Sequence, residues 1–514
     1  MTRWKIAAAL VFAGTPALWA QAGPPAGTRG PMPPALSAIT EADLRRDMFA
    51  LGGDAMRGRE AGTLDEMRAS MWIADRAREA GLQPAGDDGS YFQWWSMRRT
   101  RVSDASRVAI GDRPLALWKD VIVLSPMTVV MDQPIVWVGA AAGAELAAMD
   151  LDGKVVAAEL IAPAAAANVT PQNQSPFSNA AIRQRTDTLV AKGVTAIVFV
   201  SGGAPEFDEG FRRTVQQRIR GTYGIDSLRP AGAPVPLPGA GRGNVQRQVP
   251  SLWISREMTP LVRDPGARLA LTLAVASFTY PSVNIVAKVP GTDRARRDEM
   301  VLFSGHQDHD GVRYDVAGDS TWNGADDNAS VAVAMLAIGR AVAKRPMPRT
   351  ALFVWHGAEE RGLLGSRWFS GHPTVEKSKI VAVLNADMIG RNHPDSAALL
   401  GVQPPHLNSR ALAAAAYQAN AMTGRFVVDT SWDNPRHREG WYFRSDHLPY
   451  ARAGIPAIMF STLLHADYHT PRDNPENIDI TKMTRMTKWM YATGWIIGTA
   501  KDRPDVVPGF RLER

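Results

Sequence analysis

Apolar positions between residues 276 and 500 recur in short strand-like runs that alternate with longer helix-like segments. The strand-like runs include EMVLFSG, TALFVWHG, IVAVLNADMIG and IPAIMFST, and the helix-like segments include NASVAVAMLAIGRAVAKR and NSRALAAAAYQANA. Such alternation is typical of α/β proteins. We predict an α/β fold with a mostly parallel-stranded mixed sheet, helices on both of its faces, and ligands bound beyond the carboxyl ends of its strands.

The pattern differs in the first half of the chain. Residues 38–118 begin with two amphipathic helices, the first of which opens with a Thr-x-x-Asp cap. Residues 119–275 contain short β-rich runs separated by glycine, proline and aspartate, with one helix-like piece. We therefore predict a discontinuous main domain over 38–118 and 276–500, a β-rich α+β domain inserted at 119–275, and a C-terminal tail at 501–514.

Residues 1–22 combine a basic start, an apolar run too short to span a bilayer comfortably, and the small-x-small sequence AQA. These features predict a secretory signal peptide, with an uncleaved anchor as the alternative. A Pro/Gly-rich leader follows at 23–37. We therefore expect an exported protein, periplasmic or secreted, with no stable membrane insertion after the signal is cleaved.

The composition limits the chemistry that the chain can perform. The chain has no cysteine, which excludes disulfides, thiolate nucleophiles and cysteine-ligated metals. Any bound metal must therefore use histidine, aspartate and glutamate. The net charge of +7 is spread over scattered basic stretches without an aromatic platform, which argues against a nucleic-acid partner. The sequence leaves the oligomeric state open.

All ten histidines lie between His306 and His469, within the predicted α/β portion. His306 and Asp308 follow a predicted strand in GHQD, where a carboxylate two residues away can accept one imidazole proton and leave the other nitrogen for a metal. Asp387 lies near the end of a very apolar strand, where an unpaired carboxylate carries a large desolvation cost. A cation nearby would explain its presence there.

Adjacent carboxylates occur in two further motifs. Asp326 and Asp327 precede a predicted helix in GADDNAS, where a helix cap is the structural interpretation and a bridge between two cations the functional one. Glu359 and Glu360 follow a strand in AEERGLLGS, where a solvated loop is the structural interpretation. Imidazoles and carboxylates at successive strand ends together predict a site for hard or borderline cations.

In their order, these motifs resemble the M28 peptidases, the co-catalytic zinc aminopeptidases. The chain has GHQD, GADDNAS, AEERGLLGS, NADMIG and DYHTPRD in the family's order of His-x-Asp, Asp-Asp, Glu-Glu, Asn-x-Asp-Met and a late Tyr-His. The resemblance covers residues 276–500 well and 40–118 loosely. Residues 119–275 look like the protease-associated (PA) domain that is often inserted in this family.

The resemblance implies two zinc ions per chain, held by residues of the matching motifs. One zinc would bind Asp326, Glu360 and His469, and the other would bind His306, Asp326 and Asp387, so that Asp326 bridges the two. Calcium is a further candidate cation that the sequence does not support.

The resemblance also implies catalytic roles. Glu359 would be the general base that activates a metal-bridging water and delivers its proton to the leaving amine, and Asp308 would orient His306. A cis peptide bond would join Asp326 and Asp327. The implied activity is that of a zinc-dependent aminopeptidase, which hydrolyses the N-terminal residues of peptide substrates.

Three other functions remain open at this point. A carboxypeptidase of the glutamate-carboxypeptidase type shares the ligand order and the inserted domain. A single-zinc cyclase for N-terminal glutamine is more distant because the full two-metal set is present. A receptor-like binding protein would keep the fold without catalysis.

Several polar residues near these motifs have no assigned role. The loop after His306 carries further candidate ligands, which are His309, Asp310, Asp315 and Asp319. Candidates for supporting the ligands or lining the substrate site are Asp446 and His447. The motifs do not define the roles of His356, His465 and Tyr468.

Overall fold

The computed structural model describes residues 32–162, 175–226, 248–313 and 318–513. The predicted signal peptide lies outside these residues, as does most of the predicted leader. The strands of the described residues are, in chain order, β1 (Gln83–Pro84), β2 (Phe92–Val102), β3 (Arg107–Ile110), β4 (Arg113–Leu115), β5 (Val121–Val123), β6 (Val129–Gly139), β7 (Val155–Glu159), β8 (Ala196–Val200), β9 (Thr222–Ile225), β10 (Ser251–Ile254), β11 (Arg268–Leu273), β12 (Val275–Val289), β13 (Met300–His306), β14 (Gly311–Val312), β15 (Thr321–Trp322), β16 (Thr350–His356), β17 (Ile380–Ala386), β18 (Ser396–Leu400), β19 (Val427–Asp429) and β20 (Ala457–Ser461).

The α-helices of the same residues are α1 (Glu41–Leu51), α2 (Leu64–Glu79), α3 (Gly143–Ala147), α4 (Asn179–Val190), α5 (Glu206–Arg218), α6 (Thr259–Arg263), α7 (Ser330–Lys344), α8 (Leu364–Gly371), α9 (Arg410–Ala419), α10 (His447–Arg452) and α11 (Ile480–Thr499). The predicted cap of the first helix is present, since Thr40 Oγ1 accepts the N–H of Asp43 at 3.1 Å. In this part of the chain, no helix is both long enough and apolar enough to cross a bilayer.

The larger sheet has the strand order β19-β18-β20-β17-β13-β16-β12-β2-β9, with β1 beside β12. Its central strands β20, β17, β13 and β16 are parallel. The pairs of β12 with β16, β2 with β12, β9 with β2, and β18 with β20 are antiparallel. The sheet is therefore mixed, with a parallel centre and antiparallel flanks, and not mostly parallel as predicted. The prediction missed this for two reasons. Strands β2 and β9 come from outside the segment in which strands and helices alternate, and inside that segment local periodicity does not show that β12 and β18 pair antiparallel with β16 and β20.

Helices cover both faces of this sheet, as predicted. Successive strand residues point to opposite faces, so Phe303 of β13 packs toward α1, α2, α7, α9 and α11, whereas its neighbour Leu302 packs toward α8 and α10. Helix α7 is buried along most of its length. Its first turn is consequently held tightly against the carboxyl ends of the parallel strands, where the candidate site lies.

A second sheet has the order β4-β3-β11-β6-β7-β8-β10-β5 and buries a separate core on each of its faces. Its strands come from residues 107–273, whereas the predicted insertion spans 119–275. The long antiparallel pair of β2 with β12 lies in the larger sheet and flanks this segment, since β2 ends before β3 and β12 begins after β11. Strand β9, within the predicted insertion, pairs with β2 in the larger sheet.

Candidate metal centre

Most of the predicted site residues converge where the chain leaves the parallel strands of the larger sheet. His306 is the last residue of β13, Glu359 and Glu360 follow β16, Asp387 directly follows β17, and His469 lies in the loop after β20. The carboxyl ends of parallel strands meet at one edge of a sheet. Residues that are far apart in sequence therefore form one cluster.

A first group of donor atoms consists of His309, Asp327, Glu360 and His469, which we call the four-residue group. His469 Nε2 lies 3.1 Å from Asp327 Oδ2 and 3.1 Å from Glu360 Oε1. His309 Nδ1 lies 2.8 Å from the same Glu360 oxygen. These four side chains could surround one cation.

A second group consists of His306, Glu359 and Asp387, which we call the three-residue group. His306 Nε2 lies 3.7 Å from Asp387 Oδ1 and 3.9 Å from Glu359 Oε2. The same nitrogen lies 3.3 Å from Oδ1 of Asp327. Asp327 therefore presents one carboxylate oxygen to each group.

The two groups fit divalent cations. Four carboxylates, from Asp327, Glu359, Glu360 and Asp387, are clustered here with little exposure to solvent, an arrangement in which like charges repel. His306 Nε2 is buried and forms no hydrogen bond within the described residues, although three of these carboxylates lie within 3.9 Å. Imidazole nitrogen and carboxylate oxygen are donors that zinc uses in proteins. The donor set of each group therefore suits zinc, and Asp327 presents one oxygen to each group.

Burial and neighbouring charges shift the pKa values of the two adjacent glutamates in opposite directions. Burial, reinforced by the charge of Glu360, raises the pKa of Glu359 well above its ordinary value. Burial also opposes ionisation of Glu360, but the imidazoles of His469 and His309 outweigh it and hold the pKa of Glu360 well below its usual range. Glu360 is thus suited to remain a carboxylate, whereas Glu359 is suited to hold a proton.

The imidazole of His306 is affected in a similar way. Burial alone would lower its pKa, but the carboxylates of Glu359, Asp327 and Asp387 outweigh burial and raise the pKa of His306 well above its ordinary value. The protein thus surrounds this nitrogen with negative charge. A divalent cation would find the same favourable electrostatic environment.

The structure corrects the predicted position of the shared aspartate. Asp326 lies outside both groups, because its Oδ1 accepts the N–H of Gly390 at 2.6 Å and its Oδ2 faces His465 Nε2 at 3.5 Å. Asp327 faces the groups instead. The cis peptide bond also lies one residue later, between Asp327 and Asn328. Two identical neighbouring residues cannot be told apart by type, so only the conformation of the turn before α7 distinguishes them.

The structure also corrects the role predicted for Asp308. His306 Nδ1 lies 3.1 Å from the backbone oxygen of Asp308 but 3.8 Å from its Oδ1, so the backbone and not the carboxylate orients the imidazole. The carboxylate instead accepts the backbone N–H groups of Glu359 and Glu360. The prediction assumed an extended chain, whereas β13 ends at His306.

Two supporting residues were missed by the sequence analysis. Arg59 is fully buried and donates to the backbone oxygens of Gln307, Asn323 and Gly324 at 2.7 to 2.8 Å, which ties together two loops of the centre. Burial lowers the pKa of Arg59 to about 10. Asp473 accepts the N–H of Asp327 at 3.1 Å. Asp473 lies within the motif DYHTPRD, but no signal in the sequence distinguishes Arg59.

The other candidate ligands have different positions. Asp310 accepts hydrogen bonds from Arg220, which precedes β9, at 2.6 Å and from Arg361 at 3.0 Å, so it is engaged in ion pairs. Asp319 is exposed and accepts the N–H of Thr321. Asp315 lies outside the described residues.

Asp446 and His447 are both fully buried, so they do not line a substrate site. Burial raises the pKa of Asp446 to about 7. His356 is also fully buried, and its Nε2 lies 3.1 Å from the hydroxyl of Tyr450. Burial lowers the pKa of His356 to about 3, which keeps this imidazole neutral.

Tyr468 lies beside the four-residue group. Its ring stacks on the imidazole of His469 with a centroid distance of 3.9 Å. Its hydroxyl accepts a hydrogen bond from Arg444 at 2.9 Å. Tyr468 therefore supports the orientation of a residue of the group.

Comparison with known proteins agrees with the fold and with the resemblance in sequence. Residues 284–494 match the model of Peptidase family M28, which confirms the resemblance to this family over those residues. A "probable zinc metalloprotease" of Leptosphaeria maculans is 25% identical over 339 residues, which cover 57% of this chain and 72% of that protein. A "probable leucine aminopeptidase" of Arthroderma otae is 25% identical over 248 residues, which cover 46% of this chain and 62% of that protein.

Among solved structures, an aminopeptidase from Aneurinibacillus sp. strain AM-1 is similar with a TM-score of 0.57 at 16% identity. The similarity covers 91% of this chain and 96% of that chain. At this identity the similarity shows a common fold, a mixed α/β architecture with large sheets and helices.

Proposed function

We propose that this protein, whose residues 284–494 match peptidase family M28, is a zinc-dependent aminopeptidase with two metal ions per chain. The observation that carries the proposal is the position of Asp327. Its Oδ2 lies 3.1 Å from a donor of the four-residue group, and its Oδ1 lies 3.3 Å from a donor of the three-residue group. A carboxylate shared between two sets of ligands can hold two metal ions close together, as two-metal hydrolysis needs.

Zinc bound at the two groups would polarise the scissile carbonyl and make water easier to ionise. The chain itself supplies the proton acceptor. Glu359 is 10% exposed at its side chain, and its raised pKa makes its carboxylate a stronger base. It can therefore take a proton from the attacking water and deliver it to the leaving amine. Asp308 accepts the backbone N–H of Glu359, which holds the base in place.

The direction of cleavage is proposed from the named relatives. The similar protein of Arthroderma otae is described as a probable leucine aminopeptidase, and we extend this activity to peptides with a free N-terminus. Nothing in the described part of the chain favours the carboxypeptidase, the glutamine cyclase or the receptor.

We also propose that the second sheet belongs to a PA-like insertion and that the protein is exported. The β-rich pattern of residues 119–275 and the signal-like features of residues 1–22 support these two proposals. Expression of the full chain in bacteria, followed by fractionation and N-terminal sequencing, tests the export. Cleavage near Ala22 is expected, and a cytoplasmic chain that retains Met1 would contradict it.

The activity is tested with aminoacyl-arylamide substrates. A chelator should abolish their hydrolysis, and added Zn²⁺ should restore it. Full activity of the metal-stripped protein would contradict the proposal.

A second comparison uses one peptide in two forms, N-acetylated and C-amidated. Cleavage of the C-amidated form alone is expected, whereas cleavage of the N-acetylated form alone would identify a carboxypeptidase.

A further inference from the structure

The two groups of the candidate centre differ in the number of donors they contain. The four-residue group has two imidazoles and two carboxylates, whereas the three-residue group has one imidazole and two carboxylates, one of which belongs to the proposed base Glu359. His309 causes this difference. It was one of several unassigned candidates in its loop, and the M28 resemblance gives it no role.

The imidazole of His309 faces all three other donors of its group. Its Nδ1 lies 2.8 Å from Glu360 Oε1 and 4.0 Å from Asp327 Oδ2. Its ring meets the ring of His469 edge to face, with centroids 5.2 Å apart. Donors that are each about 2.1 Å from a tetrahedral zinc lie about 3.4 Å from one another. The separations of 2.8, 3.1 and 4.0 Å in this group lie on both sides of that value.

The scaffold fixes His309 in this position. The next residues of the two loops, Asp310 and Arg361, form an ion pair of 3.0 Å beside the contact of His309 with Glu360, so that the loops are linked twice. Gly324 makes room for the ring, because a Cβ at this position would lie 2.3 Å from His309 Cγ. Gly324 also has a φ of +58°, a conformation that glycine adopts without strain.

We propose that His309 is a fourth protein ligand, through Nδ1, of the metal held by Asp327, Glu360 and His469. A zinc position with four protein donors is of the closed kind that holds metal for structural reasons, and catalytic positions keep one place open. The four-residue group accordingly binds its ion first and releases it last. In the three-residue group Glu359 acts as the base, so the ion there is held by His306, Asp387 and the shared Asp327. Three protein donors leave one place open, and this position is the more weakly bound.

The alternative is that His309 only donates a hydrogen bond to Glu360, and metal titration of variants separates the two cases. Titration of the metal-free protein with Zn²⁺ should show one tight and one weaker equivalent. His309→Ala and His309→Gln should both weaken the tight equivalent by more than the roughly 10–100-fold loss that follows removal of an outer hydrogen-bond partner. His465→Gln is the matched control, because His465 is a buried histidine of the same region outside both groups, and it should leave both equivalents unchanged.

Glutamine at position 309 can still donate a hydrogen bond to Glu360 but is a poor zinc ligand. Wild-type affinities in His309→Gln would therefore overturn the proposal and show that the histidine acts through its hydrogen bond.

X-ray absorption of the wild-type protein with one equivalent of Zn²⁺ provides a test that does not depend on a variant folding. Two imidazole ligands are expected, from His309 and His469, and a single imidazole would overturn the proposal.

This inference rests on the metal centre of the proposed function and not on its activity. Both measurements count metals and ligands without a substrate. Failure of the His309 assignment would therefore leave the aminopeptidase proposal intact, and absence of peptidase activity would leave the His309 assignment intact.

Discussion

The carboxylate of Asp308 accepts the backbone N–H of Glu359 at 3.0 Å through Oδ1. Its other oxygen accepts the N–H of Glu360 at 3.3 Å. One buried side chain thus fixes the backbone of both the proposed base and a proposed ligand. Burial raises the pKa of Asp308 to about 6, so near neutral pH this carboxyl remains largely ionised and able to accept both hydrogen bonds.

Replacement of Asp308 should therefore impair metal binding and catalysis together. Asp308→Asn presents an amide donor to one of the two N–H groups, and we expect roughly 10–100-fold weaker zinc binding with a comparable fall in kcat/KM. Zinc titration and peptide hydrolysis measure the two effects. Asp319→Asn is a suitable control, because Asp319 is an exposed carboxylate between β14 and β15. Loss of activity with normal zinc binding in Asp308→Asn would contradict this role.

Substitution of the proposed base should separate metal binding from chemistry. Glu359→Gln keeps the size of the side chain but cannot accept a proton, so we expect kcat to fall by roughly 10²–10⁴-fold. Zinc content should remain at two equivalents. In the adjacent control, Glu360→Gln, zinc should be lost from the four-residue group. A Glu359→Gln protein with parental kcat would exclude Glu359 as the base.

The two adjacent aspartates should respond very differently to the same change. Asp327→Asn alters a carboxylate that faces both metals, and we expect loss of zinc and of activity. Asp326→Asn should have a much smaller effect, because Asp326 lies outside both groups and because burial and the charge of Asp473 raise the pKa of its carboxyl above the ordinary value. Metal analysis of the two variants decides which aspartate binds metal. Loss of zinc in Asp326→Asn but not in Asp327→Asn would restore Asp326 as the shared ligand predicted from the motif.

Removal of the metals should destabilise the folded protein. The clustered carboxylates of Asp327, Glu360 and Asp387 repel one another without cations, and a ligand that binds only the folded state stabilises it by about 4 kcal/mol at 1,000 times its Kd. Calorimetry with and without chelator should therefore show a lower Tm for the metal-free protein. Zn²⁺ should reverse the change, and an identical Tm in both conditions would indicate that the centre binds no metal.

The C-terminal tail should dock in a pH-dependent manner. His406 lies between Asp433 at 2.8 Å and Glu513 at 2.9 Å. Burial opposes its charge, but the two carboxylates raise the pKa of His406 above its ordinary value. Because the pKa of His406 is higher in the folded state, protonation of His406 stabilises the fold. This stabilisation is fully present below the unfolded pKa of about 6.5, and it is lost as the pH rises through the folded pKa.

Urea unfolding at about pH 6 and about pH 9 tests this dependence with Glu513→Gln. The variant should be less stable than the parent at the lower pH, and the difference should shrink at the higher pH. Glu476→Gln, at an exposed site, should show no such dependence. If the free energies of unfolding of parent and Glu513→Gln differ equally at both pH values, protonation of His406 is excluded as the cause of the pH dependence.

The types and order of the donor residues could be read from the chain. Alternation of strands and helices placed His306, Glu359 and Asp387 after successive strands, and the parallel centre of the larger sheet brings those strand ends together. The antiparallel flanks were not apparent, because β2 and β9 lie in segments without that alternation and because the alternation does not show the direction in which β12 and β18 pair. Local pattern reports which element forms, but it does not report the element with which it pairs.

The sequence by itself determined that the chain has an α/β core whose strand ends carry imidazoles and carboxylates, because residue type and local periodicity are properties of neighbouring residues. Only the tertiary structure decided that Asp327 and not Asp326 faces both groups, that Asp308 holds the backbone of Glu359, and that His309 meets Glu360. His309 and Glu360 are 51 residues apart in sequence. Contacts of this kind depend on how separate loops are packed in space, and packing at that distance leaves no periodic signal in the chain.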